Sequence, residues 1–175
     1  MDELCGDEVV AQFGAIGTID DLYIDSAYWQ VRYLEIATAG ERQPRHMLLS
    51  SSCVARVAAT RDRLLVNLSR SQVDAGAGIW PMEAAVAWLQ HRHLYSARAV
   101  VGLRVEARDG AAGCVADILV DDEHWTIDYL IAEMASARGR RQVLVPLDWV
   151  GPLDVANGAV YLRRTREQLH CSPSP

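Results

Sequence analysis

The chain contains two copies of one segment. When the sequence is shifted by 96 residues, residues 4–73 align with residues 100–169 without a gap, and 18 of the 70 aligned pairs are identical. The identical pairs include residues that chance rarely preserves: Gly17/Gly113, Asp21/Asp117, Asp25/Asp121, Trp29/Trp125, Tyr33/Tyr129 and Gln72/Gln168. Solenoid proteins use shorter units and need at least about three stacked copies. A long unit that occurs twice therefore predicts two copies of one small domain.

The composition is that of a folded globular protein. Half of the 175 residues are hydrophobic and 23% are charged. Because a unit of about 70 residues buries only a modest share of its surface, we expect the copies to pack together or the chain to form a homodimer. The predicted divisions are a first repeat over 1–74, a linker over 75–99, a second repeat over 100–170 and a flexible, proline-containing tail over 171–175.

Charge and cysteine usage restrict the function classes. The net charge of -6 and the pI near 5.3 disfavour nucleic acid as a partner, because nucleic-acid binders usually carry a basic face. The sequence has no apolar run of the ~20 residues that a membrane span needs. Its first residues are acidic, unlike those of a signal peptide, so we predict a cytoplasmic protein. Four cysteines lack CxxC spacing and are not duplicated, which indicates thiols instead of a disulfide or metal framework: Cys5, Cys53, Cys114 and Cys171.

Each copy has the period-two alternation of β-strands. The predicted strands are 8–12, 19–25, 28–36, 45–49 and 64–67 in the first copy, and 104–108, 115–120, 125–132, 141–145 and 160–163 in the second. Glycine-bearing turns over 13–17 and 109–113 follow the first strands. Turns over 25–28 and 121–124 begin with an aspartate that can bond the backbone two residues on. Short strands joined by tight turns predict a small β-barrel or a curved sheet.

The linker differs from the repeats in its pattern. Residues 75–78 form a flexible Ala-Gly break, and Pro81 occupies a position that a first helical turn tolerates. We predict a helix over about 81–95, with an apolar stripe packed against one barrel. The residues of that stripe are Met82, Val86, Leu89 and His93.

The repeated segment resembles the PRC-barrel family, which includes the cytoplasmic domain of the photosynthetic reaction centre H subunit and the C-terminal domain of a ribosome-maturation factor. The matching motifs are Gly17, Asp21, Asp25 and Trp-Gln-Val-Arg-Tyr-Leu at 29–34, their counterparts Gly113, Asp117, Asp121 and 125–130, and the segments 139–146 and 165–169. The resemblance implies an all-β fold of two tandem small PRC-barrel-like β-barrels joined by a connecting helix. It also implies a module that docks onto a larger complex and has no fixed active site.

Arginine clusters and aromatic residues are the candidate contact sites. The arginines could hold an anion such as an RNA phosphate, although no aromatic platforms lie near them in the sequence, and a solvated hairpin and barrel rim are the favoured interpretation. This possible anion contact comprises Arg138, Arg140, Arg141, Arg163, Arg164 and Arg166. Alternation places Trp and Tyr of each strand on one face, either in the core or exposed as a partner anchor. These aromatics are Trp29, Tyr33, Trp125, Tyr129 and Trp149.

Other polar groups lack the pattern of a catalytic or metal site. Residues 121–123 are acidic but lie in a predicted exposed turn, where capping and solvation are expected. His91 and His93 are two residues apart, whereas paired ligands on a helix are three or four apart. The hydroxyls of 50–52 lack a duplicated base. We therefore predict no enzyme activity, no metal and no cofactor.

The function predicted from the sequence is a non-catalytic interaction or assembly module with an unidentified protein partner. One alternative is ribonucleoprotein binding, related to the ribosome, through the arginine clusters. A second alternative is a small-ligand-binding or electron-transfer-associated regulator.

Overall fold

A computed structural model describes residues 4–38, 45–57, 62–90, 93–136 and 139–175. These residues form a mainly β structure, and the predicted fold class is confirmed. Contacts divide the chain into two compact units. The first comprises Met1–Ser96 and Asp122–Thr126, and the second comprises Ala97–Asp121 and Ile127–Pro175. None of the helices in the described ranges is long and hydrophobic enough to cross a membrane.

The first unit is a set of mostly antiparallel strands. Its elements are β1 (Glu8–Ala11), β2 (Gly14–Asp25), β3 (Gln30–Thr38), β4 (His46–Ser50), β5 (Val54–Val57), β6 (Arg63–Val66), helix α1 (Arg70–Asp74), β7 (Ile79–Pro81), helix α2 (Met82–Gln90) and β8 (Leu94–Ser96). Strands β1 to β4 pair in sequence order, β7 extends the sheet beside β4, and β8 pairs with β2. Strand β6 pairs with β1 in parallel and with β5 antiparallel.

The second unit repeats this order. Its elements are helix α3 (Ala97–Val100), β9 (Arg104–Ala107), β10 (Gly110–Asp121), β11 (Thr126–Ser136), β12 (Gly139–Pro146), β13 (Val150–Asp154), β14 (Ala159–Leu162) and helix α4 (Arg166–His170). Strands β9, β10, β11, β13 and β14 begin 96 residues after β1, β2, β3, β5 and β6. The parallel pair of β1 with β6 also recurs, as β9 with β14.

Two glycines explain part of the sequence identity between the copies. Gly17 was predicted to lie in a turn, but β2 already begins at Gly14, so Gly17 lies within a strand. There it faces β3 so closely that a Cβ atom would fall on the carbonyl oxygen of Ala37. Gly113 has the same relation to the carbonyl oxygen of Glu133. The placement of Gly17 in the turn was wrong because a glycine required by close strand packing looks the same in sequence as one required by a turn.

Each unit has its own apolar core. In both, the buried side chains alternate along the long strands with more exposed ones, which is the reason the period-two pattern was informative. Fully buried examples in the first unit are Leu22, Ile24, Leu34, Ile36, Leu48 and Leu64. Buried examples in the second are Val105, Ile118, Leu130, Val143, Val145 and Val160.

Strands β5 and β13 and helices α1 and α4 were not predicted. In β5 the buried and exposed positions do not alternate, because the register with β6 shifts at a bulge. Each helix is a single short turn with a capping box at its N-terminus. Ser69 pairs reciprocally with Gln72, and Thr165 does so with Gln168. The identity of Gln72 and Gln168 therefore reflects helix capping.

The linker helix is shorter than predicted. Strand β7 ends at Pro81, so the helix covers Met82–Gln90 and not 81–95. His93 lies beyond the helix with a φ of 55°, and it does not share the predicted stripe. His91, which was considered and rejected as a metal ligand, falls outside the described residues. Leu89 of the helix is buried in a cluster with Leu48 and Leu94, so α2 packs within the first unit.

The C-terminal segment is attached to β12, although its prolines predicted a flexible tail. The Arg141 guanidinium donates hydrogen bonds to the carbonyl oxygens of His170 and Ser172, both at 2.9 Å. The Leu144 amide donates to the carbonyl of Pro173 at 2.9 Å. Ser172 is consequently buried. The attachment depends on contacts with residues about 30 positions earlier, which local composition does not report.

Candidate protein-docking site

The turn between β2 and β3 is held by its leading aspartate, as predicted. The Ala27 amide donates to Asp25 Oδ1 at 3.0 Å, and the Tyr28 amide donates to the Asp25 carbonyl at 3.3 Å. The Ser26 amide donates to the carbonyl of His93 at 3.2 Å, which ties the turn to the residue preceding β8. These bonds fix the backbone of the turn and therefore the direction of its side chains.

The two repeated tryptophans end the turns and do not begin the strands. Strands β3 and β11 start at Gln30 and Thr126, one residue later than Trp29 and Trp125. Both tryptophans have left-handed backbone conformations, with φ values of 51° and 57°. The alternation that placed Trp and Tyr on one strand face was therefore wrong, because it assumed extended backbone at Trp.

The predicted aromatic residues differ in burial. Trp125 is buried at 6% exposure, and its carbonyl accepts a hydrogen bond from the Val31 amide at 2.8 Å. The other four, Trp29, Tyr33, Tyr129 and Trp149, are half-buried. Tyr33 makes an edge contact with Trp80 at a centroid distance of 6.1 Å. Their role as interface anchors remains a prediction.

Tyr28, at the tip of the same turn, is the large side chain that the sequence analysis missed. It is 73% exposed. The guanidinium of Arg32 lies 5.6 Å from the centroid of its ring, and Arg32 Nε also donates to Asp25 Oδ2 at 3.4 Å. In the second copy the equivalent positions hold His124 and Asp128, so this pair belongs to the first copy alone. A non-duplicated aromatic at a predicted turn tip was the available signal.

A cleft of about 560 Å³ lies beside Tyr28. Its lining combines aromatic, apolar and charged side chains of the first unit: Asp25, Ala27, Tyr28, Arg32, Tyr33, His93 and Leu94. A second cleft of about 320 Å³ is lined by β5 together with Asp122, Glu123 and Trp125. The first cleft has an exposed tyrosine and an arginine at its edge, which are the residue types that most often dominate protein–protein binding energy.

The predicted anion-contact arginines mostly have protein partners. Arg140 Nη1 lies 2.6 Å from Glu133 Oε1, and Arg141 holds the C-terminal segment. Arg164 stacks on Trp149 at 5.3 Å. The Arg166 backbone amide donates a hydrogen bond to Asp109 Oδ1, and Arg166 Nε lies 3.5 Å from Asp109 Oδ2. This hydrogen bond, together with the positive charge of the guanidinium, holds the pKa of Asp109 below its usual range.

Two members of the arginine set remain. Arg163 is exposed and its guanidinium has no partner among the described residues, while Arg138 lies outside them. The serine run has a structural role, because the Ser50 side chain accepts the Ser52 amide at the start of a short 3-10 helix.

Comparisons with known proteins give little further information. No protein-family model matches the chain, and no curated protein matches it. One solved structure that it resembles is a putative 16S ribosomal RNA processing protein, RimM, from Pseudomonas aeruginosa. The two chains are 17% identical over 91% of this chain and 94% of the other, with a TM-score of 0.29. A TM-score this low carries no argument about function, so membership of the PRC-barrel family stays a prediction.

Proposed function

We propose that this protein is a non-catalytic interaction module of PRC-barrel type that docks onto a partner protein through the turn between β2 and β3. The observation that carries the proposal is the exposure of Tyr28, 73% of whose surface faces solvent beside an open cleft. Tyrosine and arginine are enriched among the residues that dominate protein–protein binding energy, and here the two lie side by side at an open cleft. Burying such a ring removes about 150–250 Å² of surface from water.

The site is preorganised for binding. Arg32 is held by both Tyr28 and Asp25, so little rotamer freedom remains to be lost when a partner arrives. The turn backbone is fixed by the bonds of Asp25. A partner that offers an apolar side chain to the cleft and a carboxylate to Arg32 would match the aromatic and the cationic group at its edge.

The test compares two tyrosine variants of the tagged protein. Tyr28→Ala removes the proposed anchor, while Tyr161→Ala removes a 43% exposed tyrosine of the second unit and serves as the matched control. Both proteins should melt like the wild type. In cross-linked pull-downs from the native cells at low and high salt, a stoichiometric protein should be recovered with wild type and Tyr161→Ala and lost with Tyr28→Ala.

Other outcomes of the same experiment would contradict the proposal. Equal recovery with Tyr28→Ala would place the interface elsewhere. Recovery of RNA that disappears at high salt would favour ribonucleoprotein binding, because phosphate contacts weaken steeply with salt. Recovery of untagged copies of the same chain alone would indicate a homo-oligomer, whose size sedimentation of the purified chain would measure directly.

A further inference from the structure

Three side chains of metal-ligand type meet on adjacent strands of the first unit. Asp20 lies on β2, Glu35 on β3 and His46 on β4, and one potential ligand atom from each lies within 4.8 Å of the others. Asp20 is the extra residue of a β-bulge, since Ile19 pairs with Ile36 and Asp21 with Glu35. Bulges turn a side chain away from its regular direction, which accounts for the placement of Asp20.

His46 reaches the same group through strand register. It pairs with Ala37, two residues from Glu35 and therefore on the same face of the sheet. Its Nδ1 atom lies 2.7 Å from Glu35 Oε1 and 3.7 Å from Asp20 Oδ2. Two acidic side chains thus flank a single imidazole nitrogen.

The Nδ1 atom is buried, yet it makes no hydrogen bond of acceptable geometry. Glu35 Oε1 is close to Nδ1, but the two atoms form no hydrogen bond because a hydrogen on Nδ1 would not point at that oxygen. A cation placed between the ligand atoms does not require that alignment, since the ring nitrogen can face the cation directly. A cation at this position would be a partner for the buried nitrogen.

Two of the three separations between the ligand atoms are short enough for both atoms to bind one metal ion, and the third is at most 4.8 Å. With metal–ligand bonds of about 2.1 Å, the separations of 2.7 and 3.7 Å correspond to angles of about 80° and about 124° at the metal. The first angle is narrower than the tetrahedral angle, so the Glu35 and His46 ligand atoms would move apart when the ion binds. The mixture of one imidazole and two carboxylates suits Zn²⁺ better than Mg²⁺ or Ca²⁺, which prefer oxygen ligands alone.

We propose that Asp20, Glu35 and His46 bind Zn²⁺ through one ligand atom each. The Asp20 and His46 side chains are 31% and 44% exposed, so water can reach a fourth coordination position. The Tyr23 hydroxyl donates to the other oxygen of Glu35 at 3.4 Å and positions that carboxylate. This proposal is independent of docking through Tyr28, which lies in a different part of the hairpin.

The second copy provides an internal comparison. Its strands follow the same plan, but the positions equivalent to Asp20, Glu35 and His46 hold Ala116, Ile131 and Gln142. The scaffold therefore folds without the ligand residues. Each ligand can be replaced by the residue that the second copy carries there, with little risk to the strand pairing.

The experiment is a calorimetric titration of the chelator-treated full chain with zinc chloride. Wild type should bind one Zn²⁺ per chain at this site, and His46→Gln should bind it at least about 10-fold more weakly. His170→Gln, which alters an exposed histidine of α4, is the matched control and should leave affinity unchanged. Asp20→Ala provides a second variant, and thermal melts without zinc establish that each protein is folded.

Nuclear magnetic resonance locates the bound ion. Zinc should shift the ring signals of His46 first among the five histidines. Equal zinc affinity for wild type, His46→Gln and Asp20→Ala would overturn the proposal, as would the absence of binding by folded wild type at 100-fold excess metal. In the latter case the three side chains would form an ion-pair cluster only.

Discussion

Replacing single glycines by alanine tests whether close strand packing, and not turn conformation, preserved Gly17 and Gly113 in both copies. Three variants separate the two effects. Gly14 has a φ of 125° with no atom near its missing Cβ, so Gly14→Ala introduces backbone strain alone. Gly17→Ala introduces only a collision, with the Ala37 carbonyl and with the Ile36 side chain at 2.6 Å. Gly113→Ala combines a φ of 143° with a collision against the Glu133 carbonyl.

The expected losses of unfolding free energy follow from these contacts. Strain at Gly14 should cost about 1 to 2 kcal/mol. The collision at Gly17 should cost about 2 to 3 kcal/mol, in the upper part of the range for overpacking, because its neighbour is main chain and cannot rotate away. If strain and collision add, Gly113→Ala should lose about 4 kcal/mol.

Urea unfolding followed by far-ultraviolet circular dichroism measures these losses. With a slope of about 2 kcal/mol per molar urea, the midpoint should fall by about 0.5 to 1 M for Gly14→Ala, about 1 to 1.5 M for Gly17→Ala and about 2 M for Gly113→Ala. A Gly17→Ala protein at least as stable as Gly14→Ala would refute the reasoning, since it would mean that β2 and β3 separate without cost.

The capping boxes and one buried acid lead to two further predictions. Ser69→Ala and Thr165→Ala should each lower the free energy of unfolding by about 1 kcal/mol, measured by thermal melting, and Ser→Thr or Thr→Ser exchange should be nearly neutral. Burial, and next the nearby Asp62 charge, raise the pKa of Asp7. The folded chain therefore holds this proton to higher pH than the unfolded chain, and stability falls as pH rises through the raised pKa. Asp7→Leu, which copies Leu103 of the second repeat, should stabilise the chain at pH 7 and flatten that fall; lower stability than wild type at pH 7 would contradict this.

Much of the fold could be predicted because it rests on local signals that occur twice. Alternation along the long strands survives in the structure, since one face of each strand is buried. The repeat also selected residues whose roles became clear only with coordinates. Asp21 and Asp117 each accept the amide of the following residue at 2.7 Å, which explains why both copies keep aspartate at this position.

The errors concern features that hydrophobic alternation and local composition do not report. The backbone at Trp29 turns left-handed where the pattern indicated a strand, and the C-terminal segment is tied down by Arg141. Neither feature leaves a mark in local composition. Tyr28 of the proposed docking site was missed because the repeat does not single it out, since the second copy holds His124 at that position.

The sequence by itself determined that the protein consists of two β units of one plan, because hydrophobic periodicity and repetition are properties of the chain read in order. The tertiary structure decided which side chains meet. Asp20, Glu35 and His46 are separated by up to 26 positions and come together only through strand register and a bulge. A one-residue shift in register would send any of them to the opposite face of the sheet. Sites of this kind therefore depend on register, which long-range packing sets.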